Sequence, residues 1–172
     1  MSEETMSTED DETTAPSSVD EESDLAADYV EELLDIADID GDIDIEIRNG
    51  RIYLSVLADQ QNERLQDLIG HKGKGLEALQ ELVRLAVLSS TGNRSRLILD
   101  IAGYRDERAK ELTALAEEAI ERVKSGEEEA VHLKPMSAYE RKIVHDVIAD
   151  AGLVSESEGE SSRRHVVVSA EA

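Results

Sequence analysis

Apolar residues recur at helical spacing from Ser23 onward, with Leu25, Tyr29, Val30, Leu33, Leu34 and Ile36 predicting a helix that stops by Gly41. The period then switches to two. Ile43, Ile45 and Ile47 alternate with Asp42, Asp44, Glu46 and Arg48, Asn49-Gly50 is a two-residue hairpin turn, and Arg51 to Leu57 is the returning strand. A helix over residues 60–69 follows, then Gly70-His71-Lys72-Gly73, then a helix over residues 75–89 with Leu76, Leu79, Leu82, Val83, Ala86 and Val87 on its apolar side. Residues 96–101 alternate again as a third strand. Tyr53, on the second strand, is expected in the core.

After Gly103 a long helix is predicted over residues 105–124, carrying Leu112, Leu115, Ala116, Ala119, Ile120 and Val123 and stopped by Gly126. A short extended piece, residues 130–133, leads to Ser137 and Glu140, which form a capping box at the start of a helix reaching Asp150. Its predicted buried stripe is Tyr139, Ile143, Val144, Val147 and Ile148. Two strands, residues 153–158 and 163–169, complete the pattern. The fold class is therefore α+β: a three-stranded sheet with helices on one face, then a smaller unit of helices and short strands.

Within this pattern, Gly70 to Gly73 is the candidate chemistry. Two helices separated by four residues leave no room for bulky side chains, so the glycines fit, while His71, Lys72 and Lys74 bring positive charge to the turn. The expected device is a clamp on a phosphate backbone, in which both helices present N–H groups and the Gly70 and Gly73 N–H groups act together with Lys72. His71 and Lys74 are expected to assist, with Arg84, Arg94 or Arg96 as further candidates. A P-loop is excluded because Gly73-Lys74 is followed by Gly75 rather than Ser or Thr, and a dinucleotide fingerprint because no strand immediately precedes the glycines.

Net charge first opposes that reading. The chain of 172 residues has a formal charge of -23. The excess is local, since residues 1–47 hold 19 Asp and Glu and no Lys or Arg, whereas residues 48–102 hold 8 bases against 6 acids. Residues 1–22 are rich in Ser, Thr, Asp and Glu and too poor in apolar groups to offset the entropy of ordering, so a disordered acidic tail is expected there. No secretory signal and no run of 18 apolar residues occurs, which predicts a cytoplasmic chain without stable membrane insertion. The absence of Cys excludes disulfides, thiolate catalysis and Cys-built zinc sites.

The turn and its flanks resemble a type II KH domain, whose signature is a Gly-x-x-Gly turn between two central helices. The resemblance implies recognition of single-stranded RNA or DNA at that turn. Further on, Leu133-Lys134-Pro135-Met136-Ser137-Ala138-Tyr139-Glu140-Arg141-Lys142-Ile143-Val144-His145, followed by Ser155 to Glu160 and Arg163-Arg164, resembles the R-3-H domain. That family is named for an Arg-x-x-x-His pair and binds single-stranded nucleic acid. Its residues carry over as Arg141 and His145, with Lys142, Arg163 and Arg164 as neighbours. Arg141 and His145 lie one turn apart on a helix, where a guanidinium fork and an imidazole donor suit phosphate.

A KH domain followed by an R-3-H domain resembles the bacterial Jag (KhpB) family over about residues 23–170. The boundaries implied are a tail over 1–22, a KH domain over 23–103 and an R-3-H domain over 104–172 that includes its leading helix. The resemblance implies an RNA-binding protein linked to cell elongation and division, acting as a post-transcriptional regulator or RNA chaperone, with a small single-KH protein as partner. Many members begin with a separate folded domain, and here an acidic leader stands in that place.

Composition bears on the binding mode and on catalysis. With no Trp or Phe and four Tyr, the chain lacks the aromatic platforms of RRM-like and OB-like recognition. His71, His132, His145 and His165 are scattered, no metalloprotease or nucleophile-elbow motif occurs, and no catalytic residue, metal site or cofactor is expected. Two further readings stay open. Residues 126–172 carry 10 acids against 5 bases, as suits a protein-binding adaptor, and the acidic tail could compete with RNA for the basic turn.

Overall fold

The computed structural model describes residues 18–58 and 62–170. These divide into two compact units, separating between Ala102 and Gly103. In the first unit the elements are α1 (Ser18–Ala37), β1 (Asp42–Arg48), β2 (Arg51–Leu57), α2 (Glu63–Ile69), a short 3-10 turn (His71–Gly73), α3 (Lys74–Thr91) and β3 (Ile98–Ile101). This order is the one implied by the resemblance to a type II KH domain.

The sheet runs β1-β2-β3, with β1 antiparallel and β3 parallel to β2. Ile52, Leu54 and Val56 of β2 are buried, as are Leu99 and Ile101 of β3, and these register as neighbours on one face. Against that face pack Ala26, Val30 and Leu34 of α1 and Leu76, Leu79, Val83 and Val87 of α3, each set recurring at three or four residues so that one stripe meets the sheet. At the edge, Ile45 and Ile47 of β1 share the core-facing side yet remain 39% and 44% exposed, because the helices do not extend over them.

Four expectations change here. Residues 18–22 are helical rather than part of a tail: α1 starts five residues before Ser23, with Asp20 and Glu21 in its first turn, where carboxylates favour the positive end of the helix dipole. The rest of the predicted tail, residues 1–17, lies outside the described residues. Next, α2 begins at Glu63, where the Asn62 side chain accepts a hydrogen bond from the Arg64 N–H and fixes the start. The third strand begins at Ile98 rather than Arg96. Finally, Tyr53 is half-buried on the sheet face away from the helices, because it alternates with Ile52 and Leu54, and the Arg48 guanidinium lies 5.1 Å from its ring centre.

The second unit contains α4 (Tyr104–Lys124), β4 (Ala130–His132), α5 (Ala138–Asp150), β5 (Val154–Glu158), a 3-10 turn (Ser161–Arg163) and β6 (His165–Ser169). Here the sheet order is β4-β6-β5, all antiparallel. Leu112, Ala116, Ala119 and Val123 of α4 and Val144 and Ile148 of α5 cover Val131, Val166 and Val168. The predicted stripe of α5 shifts at its first turn. Tyr139 is 42% exposed beneath Arg105, whereas Glu140 is 8% exposed. The capping box turns Glu140 inward, its carboxylate accepting from the Ser137 N–H at 2.9 Å and from Arg108 Nε at 2.7 Å.

Candidate nucleic-acid interface

Gly70, at the end of α2, has φ 72° and ψ 178°, a conformation open essentially to glycine alone. A Cβ there would lie 2.9 Å from the Gly75 nitrogen, and a Cβ on Gly75 would lie 2.3 Å from the Leu68 carbonyl oxygen. The two helices thus meet backbone to backbone. Gly73, with φ 74°, is the left-handed residue from which α3 starts. Between these glycines Lys72 also takes a left-handed conformation, φ 52° and ψ 34°, which costs an L-residue about 1 kcal/mol. His71, Lys72 and Lys74 are exposed on this turn.

The expected roles of the Gly70 and Gly73 N–H groups do not hold. Gly70 N–H donates to the Gln66 carbonyl at 2.9 Å, closing the end of α2, and Gly73 N–H donates to the Gly70 carbonyl at 3.2 Å, closing the turn. Nor do both helices present N–H groups. The chain leaves α2 at its C-terminal end, so only α3 directs its positive end to the turn. Arg84 is also spoken for: its Nε and one terminal nitrogen donate to the Leu97 carbonyl at 3.0 and 2.8 Å, and another nitrogen pairs with Glu81. Its work is to tie the approach to β3 onto α3. Arg94 and Arg96 are exposed.

In the second unit the capping box starts α5 so that Arg141 and His145 follow one turn apart. Arg141 is half-buried and donates from one terminal nitrogen to the Met136 carbonyl at 2.9 Å. Met136 N–H in turn donates to the Arg164 carbonyl at 3.2 Å, so a single backbone unit joins Arg141 to the segment bearing Arg163 and Arg164. Arg163 and Arg164 precede β6, with Arg163 in the 3-10 turn, and both are exposed; the Arg164 guanidinium donates to the Gly159 carbonyl at 3.0 Å. Lys142 is exposed and paired with Asp146 at 2.8 Å.

His145 is held differently from Arg141. Its Nδ1 lies 2.6 Å from Ser155 Oγ and its Nε2 lies 2.8 Å from Ser157 Oγ, both on β5. Burial, then the nearby Arg141 charge, holds the imidazole below the usual histidine range. A neutral ring has one donor and one acceptor, so one serine receives a hydrogen bond and the other supplies one. Ser155 and Ser157 belong to the run that resembles the R-3-H domain, but their partnership with His145 depends on how β5 lies against α5. The groove between α4 and α5 is lined by Glu117, Glu121 and Asp150 with Lys124, a charge balance unsuited to phosphate.

Comparison with known proteins gives a family match that lies within the second unit. The R-3-H domain family matches residues 110–170. The chain is 33% identical over 147 residues to an RNA-binding protein KhpB of Clostridium symbiosum, covering 85% of this chain and 65% of that protein. It is 34% identical over 110 residues to RNA-binding protein KhpB of Bacillus subtilis, covering 62% and 52% respectively. With RNA-binding protein KhpB of Streptococcus pneumoniae the identity is 30% over 145 residues, covering 83% of this chain and 42% of the relative. The chain therefore spans about two fifths to two thirds of these relatives' lengths.

Proposed function

The chain belongs to the Jag (KhpB) family, and from that membership we propose that it is a non-enzymatic binder of single-stranded RNA with two contact modules. The first unit, which ends at Ala102, supplies a KH-type contact and the second, from Gly103, an R-3-H contact. The observation that carries the reading is Lys72, a cation held in a strained left-handed conformation between glycines where two helices touch. Strain of this kind persists where the surroundings impose it, and here it projects charge from a rigid turn.

In the first module the phosphate contacts are Lys72, His71 and Lys74 together with the positive end of α3, while Gly70 and Gly73 shape the turn. Arg94 and Arg96 extend the basic surface. In the second module Arg141 is the principal phosphate donor, with Lys142, Arg163 and Arg164 as further cations. His145 fixes β5 beside it through Ser155 and Ser157. The same sites accept single-stranded DNA more weakly if they read the sugar hydroxyl. The family resemblance extends the proposal to a cytoplasmic post-transcriptional regulator or RNA chaperone acting in cell elongation and division, with a small single-KH protein as partner. Among the described residues no helix is long and apolar enough to cross a membrane.

Crosslinking and sequencing of bound RNA in cells tests the reading. The parent recovers a defined set of transcripts; the double variant His71→Asp with Lys72→Asp loses most of it, and Arg141→Ala reduces it. Undiminished recovery by both variants would instead favour a protein-binding adaptor.

A further inference from the structure

His132 and His165 are separated by 33 positions in sequence, but the second sheet brings them together. β4 pairs with β6 so that His132 stands opposite Val167, and β5 pairs with β6 so that Glu158 stands opposite His165. Residues two apart on a strand share a face, so His132, His165 and Glu158 lie on the same side of the sheet. It is the side opposite Val131, Val166 and Val168, which face the core. His132 and Glu158 are exposed and His165 is half-buried.

His132 Nδ1 lies 3.2 Å from His165 Nε2, and a ligand atom from each of the three residues falls within 4.8 Å of the others. Two nitrogens bound to a tetrahedral zinc at its usual bond length stand roughly 3.3 Å apart. The imidazole pair is thus already at the spacing of a shared metal. The orientation of His165 agrees, since its Nδ1 lies 3.1 Å from the Arg163 carbonyl oxygen. That carbonyl can only accept, so Nδ1 carries the proton and the Nε2 lone pair faces His132. Anchoring one ring nitrogen on a carbonyl while the other meets the metal is the usual support for a ligating histidine.

We infer that His132 Nδ1, His165 Nε2 and the Glu158 carboxylate form a binding site for a divalent first-row transition metal, zinc being the natural candidate, with water in the fourth position. Two imidazoles and one carboxylate select such ions over magnesium or calcium, which take oxygen ligands. Without metal, the proton on His132 Nδ1 bridges to His165 Nε2. On binding, His132 takes its other tautomer, with the proton on Nε2, and the ion replaces the bridging proton. The ion would then tie β4 to the β5–β6 pair and, through His165, fix the Arg163 carbonyl. The inference is independent of the RNA reading.

Calorimetric titration of the tag-free full chain, stripped with chelator and kept in excess magnesium to occupy the acidic surface, tests it with zinc chloride. The expected result is one saturable zinc site per chain, weakened at least about tenfold by His132→Ala or His165→Ala and less by Glu158→Gln. His71→Ala leaves it unchanged. All three ligands lie on the sheet's outer face, and circular dichroism verifies that the variants are folded. Lack of saturable zinc binding by the parent overturns the site, as does equal affinity in the folded double variant His132→Ala with His165→Ala, or loss of binding in His71→Ala.

Discussion

His145 Nδ1 and Ser155 Oγ meet at 2.6 Å across the contact of α5 with β5, and Ser157 engages the opposite ring nitrogen. The two members of the Arg-x-x-x-His pair are therefore held differently, Arg141 on the Met136 carbonyl and His145 on β5. Since the folded imidazole titrates below its ordinary value of 6.5, the unfolded chain takes up a proton first as pH falls. His145 thus favours folding fully above pH 6.5 and loses that contribution progressively as pH falls toward its folded value. Replacing His145 with Asn should make the fall in stability over this window shallower than in the parent, as read by urea unfolding at a series of pH values.

The helix crossing at Gly75 should tolerate no side chain. Gly75→Ala drives a methyl into the Leu68 carbonyl and is expected to lower stability by about 1–3 kcal/mol. Gly92→Ala is the comparison, because Gly92 has φ +75° and open space around its would-be Cβ, leaving only the backbone cost of about 1 kcal/mol. Chemical denaturation midpoints of the two variants measure the difference directly.

Lys72→Gly should separate stability from binding. Glycine adopts φ 52° without strain, so unfolding should show stability unchanged or raised by up to about 1 kcal/mol. RNA affinity should fall despite that gain. Equal affinity would remove Lys72 from the contact.

Glu140 joins the start of α5 to α4, serving both the capping box and Arg108. Arg108 is held above the usual arginine range even though burial, the largest influence, acts the other way; the hydrogen bonds it donates to Glu140 and then Glu111 outweigh it. Glu140→Ala removes the carboxylate half of the capping box, while Ser137 Oγ still accepts from the backbone N–H of residue 140, and leaves a largely buried guanidinium with only Glu111 as partner. A loss of roughly 2–4 kcal/mol is expected by denaturant unfolding, with Glu140→Gln losing less because its amide oxygen still accepts.

What the sequence made legible was local. The Asn49-Gly50 hairpin, the Gly70 to Gly73 turn and the Ser137–Glu140 capping box are each written in a few adjacent residues, and the structure contains all three. Features needing a partner strand were hidden. The work of Arg84 depends on β3 starting only after Leu97. The meeting of His132 with His165 follows from strand register, which no spacing along the chain reveals. The Gly70 and Gly73 N–H groups illustrate the same limit, since closing a tight turn consumes the donors that its sequence seems to offer.

In the function proposed, cations on the Gly70–Gly73 turn and around Arg141 grip the backbone of single-stranded RNA. The most direct test is fluorescence anisotropy of a labelled single-stranded RNA with the full chain across a range of salt concentrations. With roughly six phosphates neutralised, the log-log slope of affinity against salt should be about -4 for the parent. The His71→Asp with Lys72→Asp variant should bind at least about tenfold more weakly with a shallower slope. Equal affinity in parent and variant, or tight binding indifferent to salt, would rule out a backbone grip by these cations.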